Sequence, residues 1–158
     1  MDHYLKKEIT YSFGKRELRF DVGNTLFSTF QIDRGTDMLL RAIDYSNPKT
    51  ILDIGCGYGP IGIALASKYP QAQVTMVDRD LLAVRYTEHN IAKNKIDNAR
   101  ALGSIGIEQV GDETFDLIVS NIPAKIGDEA ITREFVLDPY GNLTPGGELW
   151  VVVVGGLN

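Results

Sequence analysis

The stretch Ile51-Leu52-Asp53-Ile54-Gly55-Cys56-Gly57-Tyr58-Gly59-Pro60-Ile61-Gly62 carries an apolar run into three alternating glycines and then a proline. A short apolar run of this kind suits a buried strand, and Pro60 suits the first turn of a helix, where its missing N–H costs nothing. Glycine has no Cβ, so Gly55, Gly57 and Gly59 allow positive φ and a close approach of backbone to a ligand. The segment is thus a strand-to-helix turn wrapped around something bound, since three spaced glycines cost backbone entropy that a purely structural turn would not recover. Cys56, the single cysteine, is a small filler of that turn; it excludes an internal disulfide and a cysteine metal cluster.

Working outward, strands and helices alternate on the C-terminal side. Thr50 to Ile54 is a strand, Ile61 to Lys68 a helix, Val74 to Asp78 a strand and Leu81 to Asn94 a helix. Ala99 to Leu102 and Phe115 to Ser120 are strands, a helix lies around Glu129 to Val136, and Gly147 to Val154 is the last strand. Such alternation implies a doubly wound, mostly parallel α/β sheet with helices on both faces, because parallel neighbours need crossover connections. Ligands of these sheets bind beyond the carboxyl ends of the strands, which points to the loops after Ile54, Val77, Leu102 and Val119. On the N-terminal side, Ile9 to Phe30 partly alternates apolar with polar, with Gly14 and Gly23-Asn24 as turn punctuation, and suits short antiparallel strands. Thr36 to Tyr45 suits a helix that Asn47-Pro48 ends.

The 158 residues, 44% hydrophobic and 23% charged, make one domain: residues 1–47 are strands and a helix covering the site, and residues 48–158 are the α/β core. The start of the chain lacks the apolar stretch of a signal peptide, and no segment is long enough to span a bilayer, so a cytoplasmic location with no membrane partner is expected. Net charge is −5, from 16 Lys+Arg against 21 Asp+Glu, which is not the basic field of an autonomous nucleic-acid binder. The cations at Lys6, Lys7, Lys15, Arg16 and Arg19, and at Lys93, Lys95 and Arg100, are read as solvated surface charge.

Two ligands compete for the glycine turn. Gly57, Gly59 and Gly62 satisfy the dinucleotide pattern G-x-G-x-x-G, with Asp78 at about the right distance for a ribose. Asp53, two residues before Gly55, instead suits a ligand with an ammonium end, where a pyrophosphate would prefer no such charge. Asp78 ends its strand facing the same crevice and is placed to take the two ribose hydroxyls; Asp80 is the better cap for the following helix.

With Asp53 to Gly59, Asp78 and Asn121-Ile122-Pro123-Ala124 in hand, the chain resembles the small-domain, Rossmann-like S-adenosylmethionine-dependent methyltransferases, including those acting on the exocyclic amine of guanine in small-subunit ribosomal RNA. The resemblance extends upstream through Phe27-Ser28 and through Ile32-Asp33-Arg34-Gly35-Thr36-Asp37-Met38-Leu39-Leu40, a segment that in the family lies over the cofactor. It implies S-adenosyl-L-methionine as cofactor, held by Asp53, Ile54, Gly55, Cys56, Gly57, Gly59, Asp78 and Arg79. Ser104 and Ile105 fall near the adenine, and Phe27, Thr36 and Asn121 border the site, with Arg34 nearby. The family's catalytic loop, typically Asn-Pro-Pro and then an aromatic or aliphatic residue, corresponds to Asn121, Ile122 and Pro123, with Ala124 in the stacking position; the middle proline and the aromatic are replaced. The fold usually continues past its fifth strand with a helix and an antiparallel hairpin, and the chain stops at Asn158 before them.

What the resemblance implies is methyl transfer to an exocyclic amine of an RNA base, ribosomal RNA guanine foremost, with no metal and with weak RNA binding by this domain alone. The Asn121 side-chain oxygen and the Ile122 carbonyl would accept the amine's N–H groups. The alternatives are an NAD-dependent oxidoreductase and a cofactor-binding but inactive module that recruits a partner. A turn role for Asn121, before Pro123, is the plain counterpart of the catalytic one.

Overall fold

A computed structural model describes residues 5–23, 31–123 and 127–154. The expectations for Phe27, Ser28 and Ala124 lie outside the described residues. Strands β1 (Leu5–Phe13) and β2 (Arg16–Gly23) form an antiparallel hairpin, and helix α1 (Arg34–Ala42) follows. Then come β3 (Thr50–Ile54), α2 (Pro60–Lys68), β4 (Gln73–Asp78), α3 (Leu81–Lys93), β5 (Ala99–Gly103) and β6 (Phe115–Pro123). Helix α4 (Asp128–Thr132), a π-helical turn at Arg133–Leu137, α5 (Asp138–Tyr140) and β7 (Leu143–Val154) complete the order.

Strands β3 to β7 make one five-stranded sheet in the order β5-β4-β3-β6-β7, every pair parallel. Ile51, in the middle of β3, pairs with Val74 on one side and Leu117 on the other, so β3 is hydrogen-bonded along both edges. The chain winds outward from β3 through β4 to β5, then returns to β6 on the opposite side. Strand order therefore reverses between β3 and β6, and the crevice of a doubly wound sheet opens there.

Two buried clusters cover the two faces. Helices α1, α2 and α3 and the hairpin supply one, with Leu39, Leu40, Ile63, Leu65 and Tyr86 against Ile51, Val74 and Leu117. The other joins Leu52, Ile54, Val77, Ile118 and Ile122 to Ile131 and Phe135 of the segment after β6. Alternate residues of β3 face opposite clusters, as the strand period of two requires.

The structure corrects several boundaries. Helix α1 starts at Arg34 and ends at Ala42, before Asn47-Pro48, because Asp33 caps its start while Ile43 is already extended (φ −64, ψ 118). Strand β6 runs to Pro123, so Asn121 and Ile122 are strand residues paired with Val152 and Val153 instead of loop residues; the partner ladder of β7 carries the pairing onward. Strand β7 begins at Leu143, and the expected helix around Glu129 to Val136 is split by the π turn. The N-terminal hairpin pairs only with itself among the described residues. It packs on the back of α3, where Asp21 accepts from His89 (2.5 Å) and Lys93 (3.0 Å) and Lys93 also reaches Glu8 (2.6 Å). No helix among the described residues is long and apolar enough to cross a membrane.

Candidate functional site

The turn after β3 has the geometry its composition implies: Gly55, Gly57 and Gly59 take φ of +72°, +60° and +99°. Apart from its own chain neighbours, no described residue has an atom within 4 Å of where a Cβ of Gly57 would stand, whereas one on Gly59 would strike Ile63 at 2.9 Å. Gly57 thus lines a cradle, and Gly59 lets helix α2 begin. The N–H groups of Gly55 and Cys56 both bond the Val77 carbonyl of β4 (2.8 and 3.0 Å), tying the turn to the neighbouring strand.

Asp53 is fully buried at the end of β3. Its Oδ2 accepts the Gly62 N–H at 3.0 Å, while Oδ1 is buried with no hydrogen-bond partner among the described residues. Burial pushes this carboxyl up to about 7; the Gly62 N–H draws it back and the charge of Asp78 pushes it further up. A buried carboxylate oxygen with no donor is a costly arrangement that a cationic group can relieve.

Asp78, at the end of β4, is half-buried, and its two oxygens each hold a backbone N–H: Gly57 on Oδ2 and Asp80 on Oδ1, both 2.9 Å. The carboxylate is braced by the turn it borders, with lone pairs remaining for further donors. Asp80, as expected, caps α3 by accepting from Leu82 (2.9 Å). Ser104 is joined to Asp78 through its N–H on the Asp78 carbonyl (2.9 Å), but its hydroxyl is committed within its own turn to Gly106 and Gln109. Only backbone and the exposed Ile105 are free to meet a ligand there. Arg79 points outward into an exposed ion pair with Glu134 at 3.2 Å.

Asn121 lies near the end of β6, on the strand beside β3, and its Nδ2 donates to Asp33 Oδ2 (2.7 Å) and to Thr36 Oγ1 (3.1 Å). Asp33 is itself held by the start of α1, its Oδ2 accepting from Gly35 (3.1 Å) and Thr36 (3.3 Å). Ile122 buries its side chain between the sheet and the segment after it, so only its backbone can serve a ligand. Cys56 is buried, with Sγ 3.5 Å from Thr87 Oγ1, and burial pushes its thiol well above the ordinary range. That agrees with a filler and not with a nucleophile.

Several supports of the turn carried no assignment from the sequence. Thr87 Oγ1 donates to the Gly57 carbonyl (2.8 Å), and Asn90 Nδ2 donates to the Tyr58 carbonyl (2.8 Å) and to that of Asp21 (3.1 Å). Ser120 Oγ donates to the Ile54 carbonyl at 2.7 Å. Thr87 and Asn90 stand three residues apart on the buried face of α3, and polar residues on a helix's apolar stripe are the signal that could have found them. Phe135, from the π turn, lies 3.7 Å from the Cβ position of Gly55 and closes the turn from the other face. Among the described residues, no group of three or more His, Cys, Asp and Glu side chains is placed to hold a metal ion.

Residues 17–158 match the methyltransferase small domain family. The chain belongs to this family. It is 36% identical over 130 residues to ribosomal RNA small subunit methyltransferase C of Pasteurella multocida strain Pm70, covering 80% of this chain and 39% of that protein. It is 32% identical over 148 residues to the uncharacterised protein YbxB of Bacillus subtilis strain 168, covering 91% of this chain and 73% of that protein. Among solved structures, the 16S rRNA N2 G1207 methyltransferase of T. thermophilus, in complex with AdoMet and guanosine, superposes with a TM-score of 0.82 at 26% identity, over 93% of this chain and 42% of that one. The chain thus spans about two fifths of the length of these ribosomal RNA methyltransferases. Coclaurine N-methyltransferase shares the fold at a TM-score of 0.59 and 20% identity, so the fold leaves the acceptor open.

S-adenosylmethionine is the cofactor of the family, and this site fits it. The partnerless Asp53 oxygen suits an ammonium, the Gly57 cradle admits close approach, and the carboxylates of Asp53 and Asp78 together favour a cationic ligand over a pyrophosphate. The dinucleotide reading of Gly57, Gly59 and Gly62 falls on this ground and on the family. Gly62 serves packing: a Cβ there would stand 2.2 Å from Met76 Sδ on β4.

Proposed function

We propose that this chain transfers a methyl group from S-adenosylmethionine to an exocyclic amine of an RNA base, with guanine in small-subunit ribosomal RNA as the foremost substrate. The observation that carries the reading is Asn121: it stands on β6 at the switch point, beside the glycine turn of β3, with its amide hydrogens committed inward and its oxygen holding no hydrogen bond among the described residues. The relatives named for ribosomal RNA and the guanosine bound by the structural neighbour support the substrate.

When bound, the cofactor would supply an activated methyl group on a positively charged sulfur, so that the acceptor needs only a nitrogen lone pair aimed at that methyl and a route for its proton to water. The protein's task is placement, which can supply roughly 7–11 kcal/mol of barrier lowering. Asp53 holds the ammonium end, Asp78 the ribose hydroxyls, and the Gly55 to Gly59 backbone the groups between them. The backbone at Ser104 and Ile105 meets the adenine edge, with Thr36 bordering the site. Asn121 Oδ1 and the Ile122 carbonyl accept the amine's N–H groups, and Pro123 shapes the exit of the strand. RNA binds this domain weakly by itself, and the reaction belongs in the cytoplasm, where ribosomal RNA is.

The test is transfer of tritiated methyl from S-adenosylmethionine to small-subunit ribosomal RNA from cells lacking this protein. Methylated guanine is the expected product, and Asn121→Ala should lower turnover at least tenfold with donor affinity kept, the mark of an interaction used in the transition state. Full turnover by Asn121→Ala would return Asn121 to a structural role.

A further inference from the structure

Asn121 offers a ligand either its oxygen or its NH2, and only one of the two suits an amine. Nothing on the strand itself decides between them. The choice is made 88 residues earlier in the chain, at Asp33, whose Oδ2 lies 2.7 Å from Asn121 Nδ2. A carboxylate has acceptors and no donor, so the Asn121 oxygen cannot face it; rotating the amide would set oxygen against oxygen and forfeit a charge-assisted bond. Thr36 Oγ1, 3.1 Å away, takes the second hydrogen. With both hydrogens occupied, the oxygen is the one group Asn121 can present.

The anchor is rigid. Asp33 Oδ2 also accepts the N–H groups of Gly35 and Thr36 as the cap of α1, and Thr36 is buried at 3% exposure. The helix start thus fixes the carboxylate, and the carboxylate fixes the amide.

We propose that Asp33, assisted by Thr36, is a positioning residue that locks the Asn121 amide with its oxygen toward the acceptor. The site is thereby matched to a nucleophilic nitrogen that carries hydrogen, and mismatched to one that offers only a lone pair. This rests on the reading that Asn121 meets the acceptor. A site built to bond an N–H rejects an analogue lacking it, because the buried acceptor is then left unpaired.

The test compares Asp33→Ser, Asp33→Asn and Thr36→Val in the full chain. Serine still caps a helix but is too short to reach Asn121; asparagine keeps one acceptor oxygen for both tasks. The first readout needs neither cofactor nor acceptor: the exchange of the Asn121 side-chain NH2 hydrogens, followed by NMR. Their protection should fall at least tenfold in Asp33→Ser, fall less in Thr36→Val and persist in Asp33→Asn. The second is tritiated-methyl transfer to small-subunit ribosomal RNA, where Asp33→Ser should lose at least tenfold in kcat with donor affinity within about threefold of wild type, and Asp33→Asn should restore most of it. Protection and turnover unchanged in Asp33→Ser, while Asn121→Ala loses turnover, would overturn the positioning role alone. Asp33→Asn failing as badly as Asp33→Ser, or donor affinity falling in step with kcat, would also overturn it. Full turnover by Asn121→Ala would instead remove the acceptor reading beneath it.

Discussion

Asp53 couples the stability of the ligand-free protein to pH in a direction opposite to that of most carboxylates. Its carboxyl is raised from 3.8 to about 7, chiefly by burial. The folded chain therefore binds this proton more tightly than the unfolded chain; the stabilising share is fully present below the unfolded value of 3.8, shrinks as pH rises from there, and is gone once pH has passed the folded value of about 7. Integrating the linkage between pH 5 and pH 8 gives a loss of about 2–3 kcal/mol from this one group. For a chain of this size that is roughly 4–12 °C in melting temperature. The carboxyls held low, Asp21, Asp37 and Asp116, act below 3.8 and do not contribute in that range. The informative quantity is the difference between wild type and Asp53→Asn, measured by thermal or urea unfolding from pH 5 to pH 8. The wild-type curve should fall more steeply by that amount, with the difference growing from pH 5 to about 7 and levelling off above it. Parallel curves would show that the carboxyl stays charged and solvated, and would remove the argument that its free oxygen awaits a cation.

Asp78→Ala should weaken S-adenosylmethionine binding by tenfold or more, about 1.4 kcal/mol, measured by calorimetry; unchanged affinity would detach Asp78 from the ribose. Gly62→Ala should cost about 1–3 kcal/mol of stability by overpacking against Met76, which differential scanning calorimetry would detect. An unshifted melting temperature would mean that β4 and α2 separate freely. With a net charge of −5 the isolated chain should bind naked RNA more weakly than about 10 μM at physiological salt, with a shallow salt slope. Tight binding that falls steeply with salt would reveal a basic groove.

The fold was legible because its signals are local. A strand, a glycine turn and a helix at Ile51 to Gly62 require only neighbouring residues to agree: apolar run, positive φ at Gly55, Gly57 and Gly59, and proline at the helix start. The alternation that follows placed Asp53 and Asp78 at strand ends, and the observed register confirms those strand ends. Boundaries were less legible where pairing decides them. Asn121 and Ile122 looked like loop because Pro123 follows, yet the ladder with β7 extends the strand through them.

The sequence by itself determined the doubly wound sheet and the glycine turn, since both are written in short-range pattern, and its resemblance over most of the chain pointed to the methyltransferase family. Only the tertiary structure decided how those residues are tuned. Whether Asp53 is buried with one oxygen unpartnered depends on α2 closing over it. Whether Thr87 and Asn90 brace the turn depends on α3 lying against it, and which way the Asn121 amide faces depends on Asp33 arriving from the far end of the chain. Such contacts join residues 9 to 88 positions apart and have no period along the chain. They exist only once burial has removed water as the competing partner and each polar group must find another.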